Sequence, residues 1–380
     1  MNILFITHYS FLYGANRSLL LLLKGLKEKK INLMVIVPRS GPFLTELNKL
    51  NIPYRKIKFW SWMGVRDNLF FLKSFLRFSF NILILPVLVF NVLRFKPSAI
   101  YTNSSTTPVG IYLSFLLKVP HIWHIRELGK EDYNLDYDFG KKYFYSVMRK
   151  SNAIVCISKF VKEKIFPGDW KNISVINNAI YSSDDDEQIP SGRLNKWDTS
   201  FIFLMMNLIL PSKGIEDAIE ALAKLKTELK NVKLIICGDD EDMQYRKYLD
   251  DLIIKLNLNE NVVFRGFVEN SADMYCNSDA VIVCSRNEAW GRVAAEAMFH
   301  QKPVIGFNSG GTKEIITDRV NGFLYNNINE LVDCMKTVIL QNELTSRIKN
   351  SAREFALKRF SNKDYTDQIY EVISKLINKN

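Results

Sequence analysis

The strongest constraint on the fold of this chain is a repeated alternation of short, unbroken apolar runs with longer amphipathic stretches. The runs NILFIT (residues 2–7, apolar from Ile3 to Ile6), FIFLMM (201–206) and AVIVC (280–284) are unbroken stretches of apolar residues at their centres. A strand solvated on one face alternates apolar with polar, so a strand apolar at every position is covered on both faces. Between the runs lie stretches of helical periodicity, such as residues 15–29 and 215–229. Strands covered on both sides and joined through helices form a parallel sheet, because parallel neighbours require a crossover connection. The fold class that follows is α/β.

The alternation occurs twice. Residues 1–185 carry expected strands at 2–7, 31–37, 98–103, 120–125, 153–158 and 173–177. The chain then turns polar, and residues 186–200 read as an interdomain linker. The Asp184, Asp185, Asp186 run there reads as solvated loop, not as a metal site. A second series, residues 201–360, places strands at 201–206, 232–237, 262–264 and 280–284. A terminal segment, 361–380, holds a last helix at 362–377. At 380 residues, each half is large enough for its own core. Two Rossmann-like, doubly wound domains are therefore expected, with ligands at the carboxyl ends of their strands, in a central cleft.

Residues 69–95, bounded by Leu69 and Phe95, are crowded with Phe and Leu and punctuated by Lys73, Arg77 and Arg94. The apolar part from Phe78 to Leu93 is interrupted by Asn81, Pro86 and Asn91, and falls short of the roughly 20 residues that span a bilayer. A buried helix, an interfacial amphipathic surface and a true span are the three readings. Net charge is +11, which favours an anionic partner: nucleic acid, anionic lipid or a phosphorylated small molecule. No nucleic-acid-binding module is recognisable, so nucleic acid is not expected. The five cysteines are scattered, with no CxxC or Cys/His cluster, which suggests no disulfide framework or zinc site and fits a reducing, cytoplasmic compartment. The N-terminal MNILFITHYS reads as a first strand and not as a signal peptide.

Residues 279–325 concentrate the chemistry. An apolar strand leads into the loop SRNEAW, then Gly291 opens a helix whose Ala294, Ala295 and Ala297 permit close packing. Glu288 sits in the loop and Glu296 among the alanines, where a carboxylate is costly unless something hydrogen-bonds it. Lys213 and Arg292 stand at loop-to-helix junctions, and Ser309, Gly310 and Gly311 form a turn near another helix start. Two cations and helix N-termini suit a diphosphate without a metal. Glu296 suits a pair of ribose hydroxyls, and Glu288 a sugar hydroxyl or the charge developing at an anomeric carbon. The bland alternative is that all four are solvated surface charges. In the first half, Gly14 ends the loop after the first strand, where its lack of a side chain lets backbone approach a ligand.

The pattern SRNEAWGRVAAEAM…PVIGFNSGGTKEIITDRVNGFL closely resembles the retaining family 4 glycosyltransferases of GT-B architecture. Their two glutamates eight positions apart, the aromatic-Gly between them, EAM, PVI, GG..E and NG are all present. The likeness reaches upstream to GFVENSADMYCNSDAVIV, Lys213-Gly214, VINNAI, ISKF and GANRSLLLLL. The resemblance implies that Glu288 is the donor-sugar glutamate, Glu296 the ribose glutamate and Lys213 the diphosphate lysine. It implies that His124 faces the donor hexose, with His121 as competitor. It puts Gly14, Trp290, Gly291, Arg292, Gly310 and Gly311 in the donor site. Leu208 stands where the family often has an arginine, Asn16 where it often has glutamate, and Tyr181 where aspartate often follows the asparagine motif.

The implied activity is transfer of a sugar from a UDP- or GDP-sugar to a saccharide or lipid-linked saccharide acceptor, in surface polysaccharide or glycolipid synthesis. No cofactor or metal is implied, and the place is cytoplasmic, peripheral at the inner face of the plasma membrane. Rival readings are a sugar-nucleotide epimerase of the same architecture and a catalytically weak nucleotide-sugar-binding protein. A nicotinamide dehydrogenase would be expected to carry G-x-G-x-x-G after the first strand, and none is there.

Overall fold

The computed structural model describes residues 1–182 and 200–378. The chain divides into two compact units, Met1–Ser182 with Asn362–Asn380, and Ser183–Ser361. The expected linker at 186–200, except Ser200, and the acidic run at 184–186 lie outside the described residues.

In the first unit a seven-stranded parallel sheet runs Tyr54–Lys56, Asn32–Val37, Asn2–Ile6, Ala99–Thr102, His121–Ile125, Ala153–Cys156, Ile173–Val175. In the second unit a six-stranded parallel sheet runs Val262–Phe264, Val232–Cys237, Phe201–Met206, Ala280–Val283, Val304–Phe307, Phe323–Tyr325. In each sheet the chain starts in a central strand, winds outward one way, then returns to wind the other. The reversal leaves a crevice at the carboxyl ends of two adjacent strands, Asn2–Ile6 with Ala99–Thr102 in one unit and Phe201–Met206 with Ala280–Val283 in the other. Such switch points are where open α/β sheets take ligands.

The expected central strands are all present, trimmed by a residue or two at their ends. The short edge strand Tyr54–Lys56 and a two-stranded antiparallel ribbon, Met63–Val65 with Leu135–Tyr137, were not readable from pattern, being only three residues each. The helix Asn362–Ile377 belongs to the first unit: Tyr365, Ile369 and Ile373 enter the core formed with Leu19, Leu22, Leu23 and Leu26 of the helix Gly14–Glu28. Gly25 is the contact point, since a Cβ there would lie 2.2 Å from Thr366 Oγ1.

The stretch at 69–95 is longer and more regular than its sequence suggests. Helix Phe70–Leu83 continues through Ile84 into Leu85–Val92, giving a 23-residue segment long and apolar enough to cross a membrane by length and composition. The orientation of its first part, Phe70–Leu83, reverses that of an ordinary surface helix, while Leu85, Leu88 and Val92 of the second part are buried in the usual way. The buried positions of Phe70–Leu83 are Phe70, Ser74 and Asn81, and Arg77 points inward with them. Ser74 and Arg77 both bond the buried Asp138 carboxylate, and Asn81 clasps the backbone of Trp60 through two 2.9 Å bonds. The outward face is Phe71, Leu72, Phe75, Leu76 and Leu83, continued by Phe90, and Phe71, Leu83 and Phe90 are each more than 70% exposed.

Candidate active site

In the second unit the two loops flanking the switch point carry the charged residues. After Phe201–Met206 the chain makes a short turn, Pro211–Lys213, and Gly214 takes φ +61° before the helix Ile215–Lys226. Only glycine fits there: beyond the left-handed backbone, a Cβ would meet the Cys284 carbonyl oxygen at 2.9 Å. This close approach brings Lys213 beside the loop that follows Ala280–Val283. Lys213 Nζ lies 3.2 Å from Glu288 Oε2, with both side chains about one-fifth exposed (20% and 19%). Burial alone would raise the Glu288 carboxyl, but the Lys213 charge and its hydrogen bond, helped by the polar groups of Ser285 and Gly291 nearby, outweigh it and hold it below the usual range.

A second pair lies one turn on. Arg292 begins the helix Arg292–Phe299, and its Nε is 2.7 Å from Glu296 Oε1. The other Glu296 oxygen accepts from the Tyr275 hydroxyl at 3.0 Å. Tyr275, wholly buried, is in turn stacked on His300. Sequence reasoning missed Tyr275; the only signal was a tyrosine just ahead of the strand, with no spacing to tie it to Glu296. The carboxylate among alanines therefore has the partners its burial requires.

Gly310 and Gly311 serve this loop differently from the expectation. A Cβ on Gly310 would sit 2.7 Å from the Glu288 carbonyl oxygen, and one on Gly311 only 2.4 Å from Trp290 Cα. The Gly311 N–H donates to the Glu288 carbonyl at 2.7 Å. That N–H is thus committed to fixing the glutamate loop and is not free for a phosphate. Gly291 takes φ +94° at the helix start, as the turn requires. Trp290 is 2% exposed and packs edge-on against Phe360 at 5.3 Å, so its indole anchors the loop from inside. Leu208 sits beside the strand end, where Gly238 presses against Asn207 and Leu208 backbone, and no cation takes its place in that turn.

In the first unit, Gly14 opens the helix Gly14–Glu28. Asn16 has its own function there: its amide donates to the Tyr9 and Phe11 carbonyls and its oxygen accepts from Thr7, tying the loop to the helix. The two strand histidines differ. His121 is saturated, bonding Thr102 Oγ1 at 2.8 Å and Ser151 Oγ at 2.9 Å. His124 bonds the Tyr101 hydroxyl through Nδ1, while its Nε2 has no partner among the described residues. Yet His124 is completely enclosed, and burial with the nearby Arg126 charge pushes its imidazole well below its usual range, so it is neutral and does not present an open ring.

The two halves of the chain match two family descriptions, Glycosyltransferase Family 4 over residues 13–183 and Glycosyl transferases group 1 over residues 186–355. An uncharacterized glycosyltransferase of Methanocaldococcus jannaschii is 30% identical over 257 residues, 67% of this chain and 68% of that protein. The chain belongs to glycosyltransferase family 4. A capsular polysaccharide biosynthesis glycosyltransferase of Staphylococcus aureus is 24% identical over 310 residues, 76% of this chain and 79% of that one. Several other curated relatives are matched over about half of their own length. The Anabaena HepE structure in complex with UDP-glucose has a TM-score of 0.81 at 23% identity, over 99% of this chain and all of that one. The fold of this family 4 member is accordingly GT-B, two Rossmann-like parallel-sheet domains. The charged pairs just described lie within the half matched as group 1.

Proposed function

We propose that the chain is a retaining, metal-independent glycosyltransferase that moves a sugar from a UDP- or GDP-sugar to a saccharide or lipid-linked saccharide acceptor. The product is a surface polysaccharide or glycolipid built at the cytoplasmic face of a membrane. The observation that carries this reading is the Lys213–Glu288 pair at the switch point of the second sheet. Each cation is matched by a carboxylate. An arriving donor exchanges these partners: Lys213 and Arg292 turn to the diphosphate, Glu288 to hydroxyls of the sugar, Glu296 to the ribose. As the anomeric bond lengthens, negative charge gathers on the leaving diphosphate, and both cations stabilise it more in the transition state than in the ground state. Two fixed cations supply the charge a divalent ion would bring. The UDP-glucose bound by the Anabaena neighbour makes UDP-sugars the first donors to try.

The outward apolar face of residues 70–92 supports a peripheral membrane position. Its polar residues are spent on the protein, so the exposed side favours an apolar neighbour, and Lys58, Arg66, Arg94, Lys96 and Lys118 flank it in a chain of net charge +11. A thermal-shift panel of UDP, GDP, ADP and their sugars identifies the donor, since bound ligand stabilises by mass action. Turnover of the best labelled donor, with and without EDTA, then tests the reaction. Loss of turnover in EDTA would overturn metal independence, and stabilisation by no nucleotide would overturn the donor reading.

A further inference from the structure

The switch point of the first sheet is also built of buried polar groups, and not all of them have a partner among the described residues. Glu127 follows the strand His121–Ile125 and is 8% exposed. Three donors converge on its Oε1: Ser104 Oγ at 2.8 Å, the Ser105 N–H at 2.6 Å and Ser105 Oγ at 2.6 Å. Both serines lie in the turn after Ala99–Thr102, beside the switch point. Glu127 Oε2 accepts from nothing among the described residues. Across the switch point, the loop after Asn2–Ile6 brings His8 and the half-buried Tyr9. Their rings meet edge to face at 4.1 Å. Burial, with the charges of Tyr133 and Glu127, pushes the Tyr9 phenol above its usual range, and His8 Nδ1 has no partner among the described residues.

A carboxylate oriented by three donors on one oxygen, with the other open, is set to accept a hydrogen bond from a ligand. The neighbouring charge limits what that ligand is. Arg126 is 6% exposed and bonds only neutral groups: Asn103 at 2.6 Å, Tyr365 at 2.8 Å and Asn178. This buried guanidinium next to Glu127 repels a metal or ammonium ion, and no cluster of three metal-ligating side chains occurs among the described residues. A neutral hydroxyl is the donor that remains.

We propose that Glu127 Oε2, with Tyr9 and His8 beside it, is a hydroxyl-binding subsite of the first unit that holds and orients a saccharide acceptor. The subsite rests on the glycosyltransferase reading for its role, but its ligand chemistry is readable without turnover. The test uses the full chain and methyl glycosides of glucose, galactose, mannose and N-acetylglucosamine as probes, with binding measured by saturation-transfer NMR. Glu127→Gln keeps an oxygen for the serines and replaces Oε2 by an NH2 group, so it removes only the open acceptor. The expected result is binding of at least one glycoside by the wild type, weakened at least about tenfold in Glu127→Gln and several-fold in Tyr9→Phe. Stabilisation by nucleotide should be unchanged in both. Should Glu127→Gln not fold, Tyr9→Phe, on a half-buried ring, still reads the subsite. Glycoside binding that is equal in wild type and variants, or absent from the wild type, overturns the proposal. Failure of every nucleotide to stabilise the wild type would instead overturn the donor reading, and is scored separately.

Discussion

Lys213 Nζ and Glu288 Oε2 stand 3.2 Å apart although 75 residues separate them in sequence. They meet because each occupies the loop at the carboxyl end of one of the two strands that flank the switch point. Gly214 and the Gly310–Gly311 pair make the approach possible, pressing backbone against backbone where any side chain would collide. The pair thus holds a cation and an anion in mutual neutralisation, and in the function proposed above both are redistributed onto a charged donor.

Removing either member should therefore affect the reaction more than the fold. Lys213→Ala is expected to lower turnover of the best nucleotide sugar by roughly 100-fold or more, the scale of losing one group that stabilises developing charge. Glu288→Gln is expected to lower it comparably, while Tm moves by only a few degrees in either variant, because the pair is partly solvated. Steady-state kinetics beside thermal melts checks this. Unchanged rates in both variants would sink the site assignment.

Much of this arrangement was legible in the sequence, and for a physical reason. Buried parallel strands must be apolar at every position, so Phe201–Met206 and Ala280–Val283 declare themselves. Glu288, Glu296, Lys213 and Arg292 stood out because charge beside small or apolar residues demands an explanation. The partners that satisfy them were not legible. Tyr275 reaches Glu296 across a tertiary contact that no spacing encodes, and the edge-on packing of Trp290 on Phe360 is equally invisible in sequence. The Glu127 cluster was likewise hidden, since Ser104 and Ser105 approach it from the turn after a neighbouring strand. The helix at 70–92 misled differently: periodicity reports which face is apolar, not which face is turned inward.

Docking of the terminal helix can be tested at Gly25. In an exposed helix, Gly→Ala stabilises by about 1 kcal/mol through propensity alone. Here the new methyl would lie 2.2 Å from Thr366 Oγ1, so overpacking should reverse the sign and cost about 1–3 kcal/mol. Urea denaturation of Gly25→Ala decides between the two. A gain in stability would show that Asn362–Ile377 is not held against Gly14–Glu28.

His300 should make the second unit acid-sensitive. Burial lowers its imidazole from 6.5 to about 4; Lys302 and Arg353 act in the same direction, against Glu296. The folded form therefore stays neutral down to about pH 4, while the unfolded chain takes up a proton near pH 6.5. Stability contributed by the neutral ring is full above pH 6.5 and is lost as pH falls toward 4. His300→Phe keeps the stack on Tyr275 and removes the proton uptake. Between pH 7 and 4.5 the variant should lose roughly 2 kcal/mol less than the wild type, read from urea midpoints. Parallel pH profiles would show that the ring is solvated in the folded state.

The inside-out helix makes the most exposed claim about where the protein works. Ser74, Arg77 and Asn81 are engaged with Asp138 and Trp60, so the outward phenylalanines cannot be rotated inward without breaking buried polar bonds. Phe71, Phe75 and Phe90 are 71%, 60% and 78% exposed. If this face enters the headgroup region, each buried phenylalanine contributes about 1.5–3 kcal/mol, and anionic lipid adds about 1 kcal/mol per nearby Lys or Arg. Wild-type protein is expected to float with vesicles containing phosphatidylglycerol and to dissociate in part at high salt. Phe75→Ser combined with Phe90→Ser should weaken flotation at least about tenfold while leaving Tm nearly unchanged, because neither ring supports the core. Charge alone predicts a different pattern, in which the double variant floats as well as the wild type and only salt matters. Flotation unaffected by the two serines would remove the apolar face from the interaction.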